Sequence, residues 1–249
     1  MKKFKMLSIV SPAFNEGDNL GILIPEITRQ IPRLSDLCAS VEWVIADDGS
    51  TDNTARVVDS GPEFVRRLVL EHRGMSAALY QGVMDARGEV IATLDADLQN
   101  DPADLPGMVA VLASSKADMV CGIRWNRKDT LAKRLASRIS NKVRRKVLSD
   151  TIQDAGCTLR VFKTTARECC FWPIHGGHRF VGPFAQRQGL HVVQMGVNHR
   201  ERGQGASHFG VRDRLPEVVR DLAGARWLMS RTFAPLDTAG NAQDRGKQD

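Results

Sequence analysis

The stretch Val90-Ile91-Ala92-Thr93-Leu94-Asp95-Ala96-Asp97-Leu98-Gln99-Asn100-Asp101-Pro102 decides the fold. Its first five residues are a short, mostly apolar run rich in β-branched side chains, as in a strand buried on both faces, and acidic and amide groups follow at once. Asp101-Pro102 then supplies a start signal for a helix over Leu105–Ala113. Strand, polar loop and helix in that order form one unit of an alternating chain. Working outward, further β-like runs lie at Met6–Ser11, Val41–Ala46, Val65–Glu71 and Met119–Ile123, with helical spacing at Leu20–Ile31, Thr54–Asp59 and Ser76–Ala86. This alternation predicts an α/β fold with a mostly parallel central sheet flanked by helices, and ligands beyond the carboxyl ends of the strands.

Polar clusters follow several of these strands directly: Pro12-Ala13-Phe14-Asn15-Glu16, Asp47-Asp48-Gly49-Ser50-Thr51-Asp52 and the acidic run itself. They are expected to meet in one crevice. If the chain stays extended past Leu94, the carboxylates of Asp95 and Asp97 project to the same side and Gln99 continues the spacing. Such oxygen groups suit a hard divalent cation, which takes one or two carboxylates and completes its shell with substrate phosphates. A solvated loop is the plainer alternative. In the second cluster Ser50, Thr51 or Asp52 can cap the next helix, and a strand-end carboxylate can also hold a ribose hydroxyl or a base edge.

The second half is less regular. We expect a basic helix over Thr130–Leu148, a short strand near Thr158–Phe162, a helix near Phe180–Gln188, a strand at Leu190–Val197 and a last amphipathic helix from Leu215 to about Arg226. Between Arg124 and Lys146 ten Lys or Arg residues face one acid, Asp129, while Leu131, Leu135, Ile139, Val143 and Val147 form a narrow apolar stripe. A helix of this kind either lies at a membrane surface or packs on its own domain with a solvated basic face.

Composition sets outer limits. The 249 residues carry a net charge of +6, which implies an anionic partner: nucleic acid, phosphate groups or an acidic membrane face. Nucleic acid is disfavoured, because no binding motif is present and aromatics make up only 6% of the chain. Five cysteines without CxxC spacing suit a reducing cytosol and a place in the core. The apolar run near the N-terminus ends at Val10, too short for a signal-peptide core, and no stretch reaches the roughly 18 apolar residues of a membrane-spanning helix. One domain over residues 1–233 is expected, with 234–249 as a polar, disordered tail.

Taken in order, the three clusters resemble the successive signatures of family-two glycosyltransferases with the GT-A fold, in particular the dolichyl-phosphate mannose synthase and bactoprenol (undecaprenyl-phosphate) glycosyltransferase branch. The resemblance continues through Asp154-Ala155-Gly156-Cys157-Thr158-Leu159-Arg160, His178-Arg179-Phe180 and the run from His199 to Ser207. It implies a single domain binding a nucleotide-diphosphate sugar, GDP-mannose or a UDP-sugar. Pro12, Phe14, Glu16, Asp47, Asp48, Arg73, Asp95 and Ala96 then border the nucleotide, and Asp95, Asp97 and Gln99 hold Mg²⁺ or Mn²⁺ and the diphosphate.

By position Arg124 and Arg138 match arginines that grip an acceptor phosphate, with Arg127 and Arg134 as helpers. Arg202, Gly205 and Ser207 match a loop that closes over the donor diphosphate. The chain departs from the pattern at Phe14, where Tyr is more frequent, at His72, where Asn is expected, and at His208-Phe209, where Lys-Tyr is usual. The implied reaction is inverting transfer of a sugar to a polyprenyl phosphate, with Asp97, Arg124, Arg138 and Arg202 in the catalytic set. The enzyme would work at the cytoplasmic face of a membrane, docked peripherally or through a membrane-anchored partner subunit. A soluble saccharide acceptor is the rival, but it would call for a carboxylate base rather than arginines.

Overall fold

The computed structural model describes residues 3–125, 131–200 and 215–232. Among these, seven strands run in chain order as β1 (Phe4–Ala13), β2 (Cys38–Asp47), β3 (Val65–Val69), β4 (Val90–Thr93), β5 (Met119–Trp125), β6 (Arg160–Lys163) and β7 (Val192–Asn198). The helices are α1 (Gly17–Thr28), α2 (Ile31–Ser35), α3 (Thr54–Asp59), α4 (Met75–Asp85), α5 (Leu105–Ser114), α6 (Leu131–Leu148), α7 (Arg167–Cys170), α8 (Val181–Arg187) and α9 (Leu215–Arg231).

The strands form one sheet in the order β3-β2-β1-β4-β6-β5-β7. Neighbours pair in parallel except at β6, which runs against both β4 and β5. The carboxyl ends of the parallel strands therefore share one edge. The reversed β6 brings its beginning to that same edge, with Arg160 opposite both Thr93 and Cys121. The residues before β6, Asp154 to Leu159, are thus delivered to the edge where the polar clusters sit.

Both sheet faces are covered. One core joins Leu7, Ile9, Trp43 and Ile45 to α1, α2 and α5; the other joins Val10, Val44, Ile91 and Phe162 to α4, α7 and α8. Runs such as Ser8-Ile9-Val10-Ser11 and Trp43-Val44-Ile45-Ala46 are buried throughout, as a doubly covered parallel sheet requires. A third, smaller cluster of Leu148, Phe180, Phe184, Ala225 and Met229 ties α6 and α9 to the start of α8. Cys38, Cys121, Cys157 and Cys170 are buried free thiols, and burial pushes Cys38 up to about 11 and Cys157 up to about 12, as inert core residues should be.

Several expected boundaries shift. The single helix expected over Leu20–Ile31 is two helices, because Pro32 has no N–H with which to continue the ladder of α1 and sits instead in the first turn of α2. The short strand near Thr158–Phe162 begins at Arg160 and pairs antiparallel. The last helix runs on past Arg226 to Arg231, since its own Met229, four residues after Ala225, continues the face buried against Leu148, Phe180 and Phe184. No described helix is long and apolar enough to cross a membrane. The expected tail at 234–249 lies outside the described residues.

Candidate active site

At the centre of the sheet edge the chain does not stay extended. β4 ends at Thr93, and Leu98 takes a left-handed φ of 65°, so the alternation expected to align Asp95, Asp97 and Gln99 is broken by a turn. The Asp97 carboxylate accepts from the Gln99 N–H at 3.1 Å, and the Gln99 carbonyl accepts from the Arg200 N–H at 2.9 Å. The turn still serves the expected end: Asp95, Ala96, Asp97 and Gln99 line one crevice of about 700 Å³ with Pro12, Phe14, Glu16, Asp48 and Arg124.

Asp95 has an unusual environment for a carboxylate. The Thr158 hydroxyl donates to it from the β6 approach, while burial and the adjacent Asp97 push its carboxyl up to about 6. A buried carboxyl whose proton affinity is raised beside a second carboxylate marks a place short of positive charge. Their oxygens are the donor type that Mg²⁺ and Mn²⁺ prefer, so the pair fits a divalent cation. Among the described residues no third His, Cys, Asp or Glu gathers with them into a metal-holding group.

The second cluster has a more structural part than the resemblance implies. Asp47 accepts from the Ser50 N–H at 2.9 Å and from Arg67 at 3.4 Å, and it is buried and does not line the crevice. Asp48 does line the crevice, yet its two oxygens accept the Arg73 and Gly74 N–H groups, each at 2.8 Å, which fixes the turn into α4. Asp52, one residue before the N-cap Asn53, accepts from Thr54 N–H at 2.9 Å and Gly17 N–H at 3.1 Å and so joins the starts of α3 and α1. Arg73 points away, pairs with Glu71 and faces a neighbouring cavity of about 570 Å³. Phe14, 43% exposed, stacks on His72 with ring centroids 4.2 Å apart, a flat apolar platform at the rim.

The basic residues divide sharply. Arg124, at the end of β5, is held by Asp154 in a two-pronged ion pair, Nε to Oδ2 and Nη2 to Oδ1 both at 2.8 Å. Gly156 makes room for it, since a Cβ there would stand 2.6 Å from the Arg124 Nη2. Arg144, expected as part of the positive field of α6, is buried and paired with Asp150 at 3.1 Å. Arg138 is exposed on α6 and does not line the crevice. Arg127, Arg202, Gly205, Ser207 and His208 lie outside the described residues.

Several residues of the quoted motifs gain a role only from the fold. Thr158 braces Asp95 and Asp154 braces Arg124. His178 accepts or donates at Ser76 Oγ, 2.7 Å away, and burial together with Arg179 and Arg160 pushes its pKa down to about 3, so the ring is neutral. The signal available was their polar character inside apolar segments, which marks a buried partner without naming it.

A second hollow, a mostly apolar groove of about 710 Å³, opens beside the crevice. Ile139 and Val143 of α6 face Val218, Val219 and Leu222 of α9 across it, and Phe180 lies on its wall. At Ile139 and Val143 the stripe expected on α6 is partly open to solvent, with Ile139 55% and Val143 49% exposed. Crevice and groove share Arg124, Gly156 and Arg179.

The family profile described as Glycosyl transferase family 2 matches residues 8–171, spanning β1 to α7 and both acidic strand ends. The chain belongs to glycosyl transferase family 2. The glycosyltransferase is 32% identical over 238 residues to the dodecaprenyl-phosphate galacturonate synthase of Rhizobium johnstonii, covering 92% of this chain and 69% of that protein. It is 31% identical over 235 residues to the undecaprenyl-phosphate 4-deoxy-4-formamido-L-arabinose transferase of Shewanella sediminis, covering 92% of this chain and 68% of the relative. Among solved structures, glucosyl-3-phosphoglycerate synthase from Mycobacterium tuberculosis, crystallised with Mn²⁺, UDP and glucosyl-3-phosphoglycerate, superposes with a TM-score of 0.65 at 19% identity, covering 94% of this chain and 82% of that one. The same synthase crystallised with Mg²⁺ and UDP gives 0.66 at 20% identity. These likenesses establish the GT-A fold of the glycosyltransferase.

Proposed function

We propose that this glycosyltransferase transfers a sugar from a nucleotide-diphosphate donor to a polyprenyl phosphate, with inversion at the sugar. The observation that carries the proposal is the junction of two unlike hollows, one acidic at Asp95 and Asp97, the other apolar between α6 and α9, meeting at arginines. A soluble saccharide has no use for the apolar groove, whereas a phosphate with an isoprenoid tail needs both the cations and the groove. The relatives named for dodecaprenyl- and undecaprenyl-phosphate point the same way.

Asp95 and Asp97 would hold a divalent cation, Mg²⁺ or Mn²⁺, together with oxygens of the donor diphosphate; Gln99 stands beside them. When bound, the cation offsets diphosphate charge as the leaving group departs. Phe14 and His72 offer their stacked faces to the nucleotide base, and Pro12, Glu16 and Ala96 shape the wall around it. A phosphate monoester at pH 7 is already largely dianionic, so the chain need not supply a general base. Its oxygen attacks the anomeric carbon, the new C–O bond forms on one face, the bond to the diphosphate breaks on the other, and nucleoside diphosphate leaves. What the protein contributes is alignment and neutralisation of two sets of phosphates, through the arginines at the neck between the hollows toward the acceptor and Arg202 with Ser207 toward the donor.

Placement at the cytoplasmic face of a membrane completes the proposal, docked peripherally or through a membrane-anchored partner subunit. Trp125 and Trp227, 64% and 62% exposed, and the open edge of the groove provide amphipathic and apolar contacts with a bilayer. The test is nucleoside diphosphate release from a panel of GDP- and UDP-sugars with Mg²⁺ or Mn²⁺, with and without polyprenyl phosphate. Release from one donor that depends on the lipid phosphate supports the proposal and names the sugar. Release that responds to a soluble saccharide and ignores the lipid overturns it.

A further inference from the structure

We propose that Arg179 binds the acceptor phosphate at the neck between the crevice and the apolar groove, and that Asp221 of α9 is the resting counter-ion the phosphate displaces. This rests on the polyprenyl-phosphate reading and assigns a phosphate-binding residue that the motif-based choice of Arg124 and Arg138 left out.

Among the described residues three line both hollows, and two of them are cations. They differ in how their charge is spent. Arg124 gives Nε and Nη2 to Asp154 in a close fork, with the carboxylate 8% exposed, so its charge is matched by a geometrically ideal partner. Among the described residues Arg179 makes one side-chain hydrogen bond, from Nη1 to Asp221 at 3.3 Å, and its side chain is 31% exposed. A single long bond on a half-exposed guanidinium is weak, and most of the planar fork stays available for phosphate oxygens.

The backbone around Arg179 is set firmly. Gly176 takes a left-handed φ of 71°, its N–H donates to Ser76 Oγ at 3.0 Å, and the same hydroxyl meets His178 Nδ1. This anchors the short turn Gly177–Arg179 to the start of α4, on the crevice side. Asp221 lies so close to that turn that a Cβ on Gly176 would stand 2.3 Å from its Oδ2. Arg179 is thus presented from a fixed turn, while its counter-ion comes from the helix that also carries Val218, Val219 and Leu222 along the groove. A phosphate entering the neck with its tail between α6 and α9 meets Arg179 head-on. Exchanging one long carboxylate contact for a bidentate phosphate contact keeps the guanidinium satisfied throughout.

The experiment uses the full chain with an undecaprenyl or shorter polyprenyl phosphate in detergent, and measures KM for lipid phosphate, KM for donor, and kcat in Arg179→Gln, Arg179→Lys and Asp221→Asn. Thermal melting and nucleoside diphosphate affinity report on folding and on the donor side. We expect Arg179→Gln to raise KM for the lipid phosphate at least ten-fold with donor KM within two-fold of wild type, Arg179→Lys to recover part of that loss, and Asp221→Asn to leave lipid KM unchanged or lower. Equal rises in Arg179→Gln and Asp221→Asn would mean the pair only holds α9 in place, and would overturn the proposal. So would an unchanged lipid KM in Arg179→Gln. If wild-type enzyme shows no lipid-dependent turnover at all, the function itself fails and Arg179 falls with it; lipid-dependent wild type with an indifferent Arg179→Gln sinks the Arg179 assignment alone.

Discussion

Replacing Asp154 with Asn removes one charge from the best-formed ion pair at the site. In the native protein Oδ1 and Oδ2 each accept from Arg124 at 2.8 Å, and Oδ2 also accepts from the Arg124 N–H at 3.3 Å. Asparagine keeps one acceptor oxygen and turns an NH₂ group toward a guanidinium, so one prong becomes a donor facing a donor. Breaking a buried pair costs about 3–5 kcal/mol. Because Arg124 is 17% exposed and water can partly compensate, we discount this to about 2–3 kcal/mol, roughly a 30- to 150-fold change in the folding equilibrium. For a chain of this size that lowers the melting temperature by about 4–12 °C. Urea denaturation of Asp154→Asn, Arg124→Gln and the double variant closes a double-mutant cycle. The double variant should lose little more than either single one, giving a coupling energy near 2 kcal/mol. A coupling below about 0.5 kcal/mol would show that the fork behaves as an ordinary surface pair, and would refute the contrast between a committed Arg124 and an available Arg179.

Asp97→Ala should leave folding intact and lower transfer by at least about a thousand-fold, since a carboxylate at the diphosphate is lost; circular dichroism and initial rates with Mg²⁺ decide it, and full activity in the variant would remove Asp97 from the site. Phe14→Ala should raise donor KM about ten-fold, in line with the roughly 1–3 kcal/mol of one base–aromatic stack, while leaving lipid KM unchanged. His178 predicts a pH effect on stability. Its folded pKa of about 3 lies below the ordinary value, so the unfolded chain takes up the proton first, and the stabilisation present above about pH 6.5 is lost as pH falls from there toward 3, at up to about 1.4 kcal/mol per pH unit. Asp95, raised to about 6, contributes with the opposite sign, so the informative quantity is the difference between wild type and His178→Gln in urea midpoints from pH 7 to 4.5. Parallel curves would rule out a neutral, buried His178.

Much of this molecule was legible in one dimension. The β/α alternation, the acidic strand ends and the apolar stripe of α6 all follow from side-chain period and local turn chemistry, which act over a few residues and leave their trace in sequence order. The motifs Asp95-Ala96-Asp97, Asp47-Asp48 and Pro12-Ala13-Phe14 fall at strand ends, and parallel pairing then forces them onto one edge. Helix boundaries such as Thr28 and Arg231 were less legible, because a proline and a distant packing partner set them.

What each charged residue does was decided only in three dimensions. Asp47, Asp48 and Asp52 look alike in sequence, yet Asp47 is buried on Ser50 and Arg67, Asp48 closes a turn in the crevice wall and Asp52 ties two helix starts together. Arg124 and Arg179 both stand at the end of a strand or turn, yet Asp154, thirty residues from Arg124, matches one almost fully, and Asp221, forty-two residues from Arg179, holds the other loosely. The sequence by itself determined the fold class and the acidic crevice, because backbone geometry and apolar burial are encoded locally. Only the tertiary structure decided which cations remain available for a phosphate, because a charge is spent or spared by whichever opposite charge the fold brings beside it.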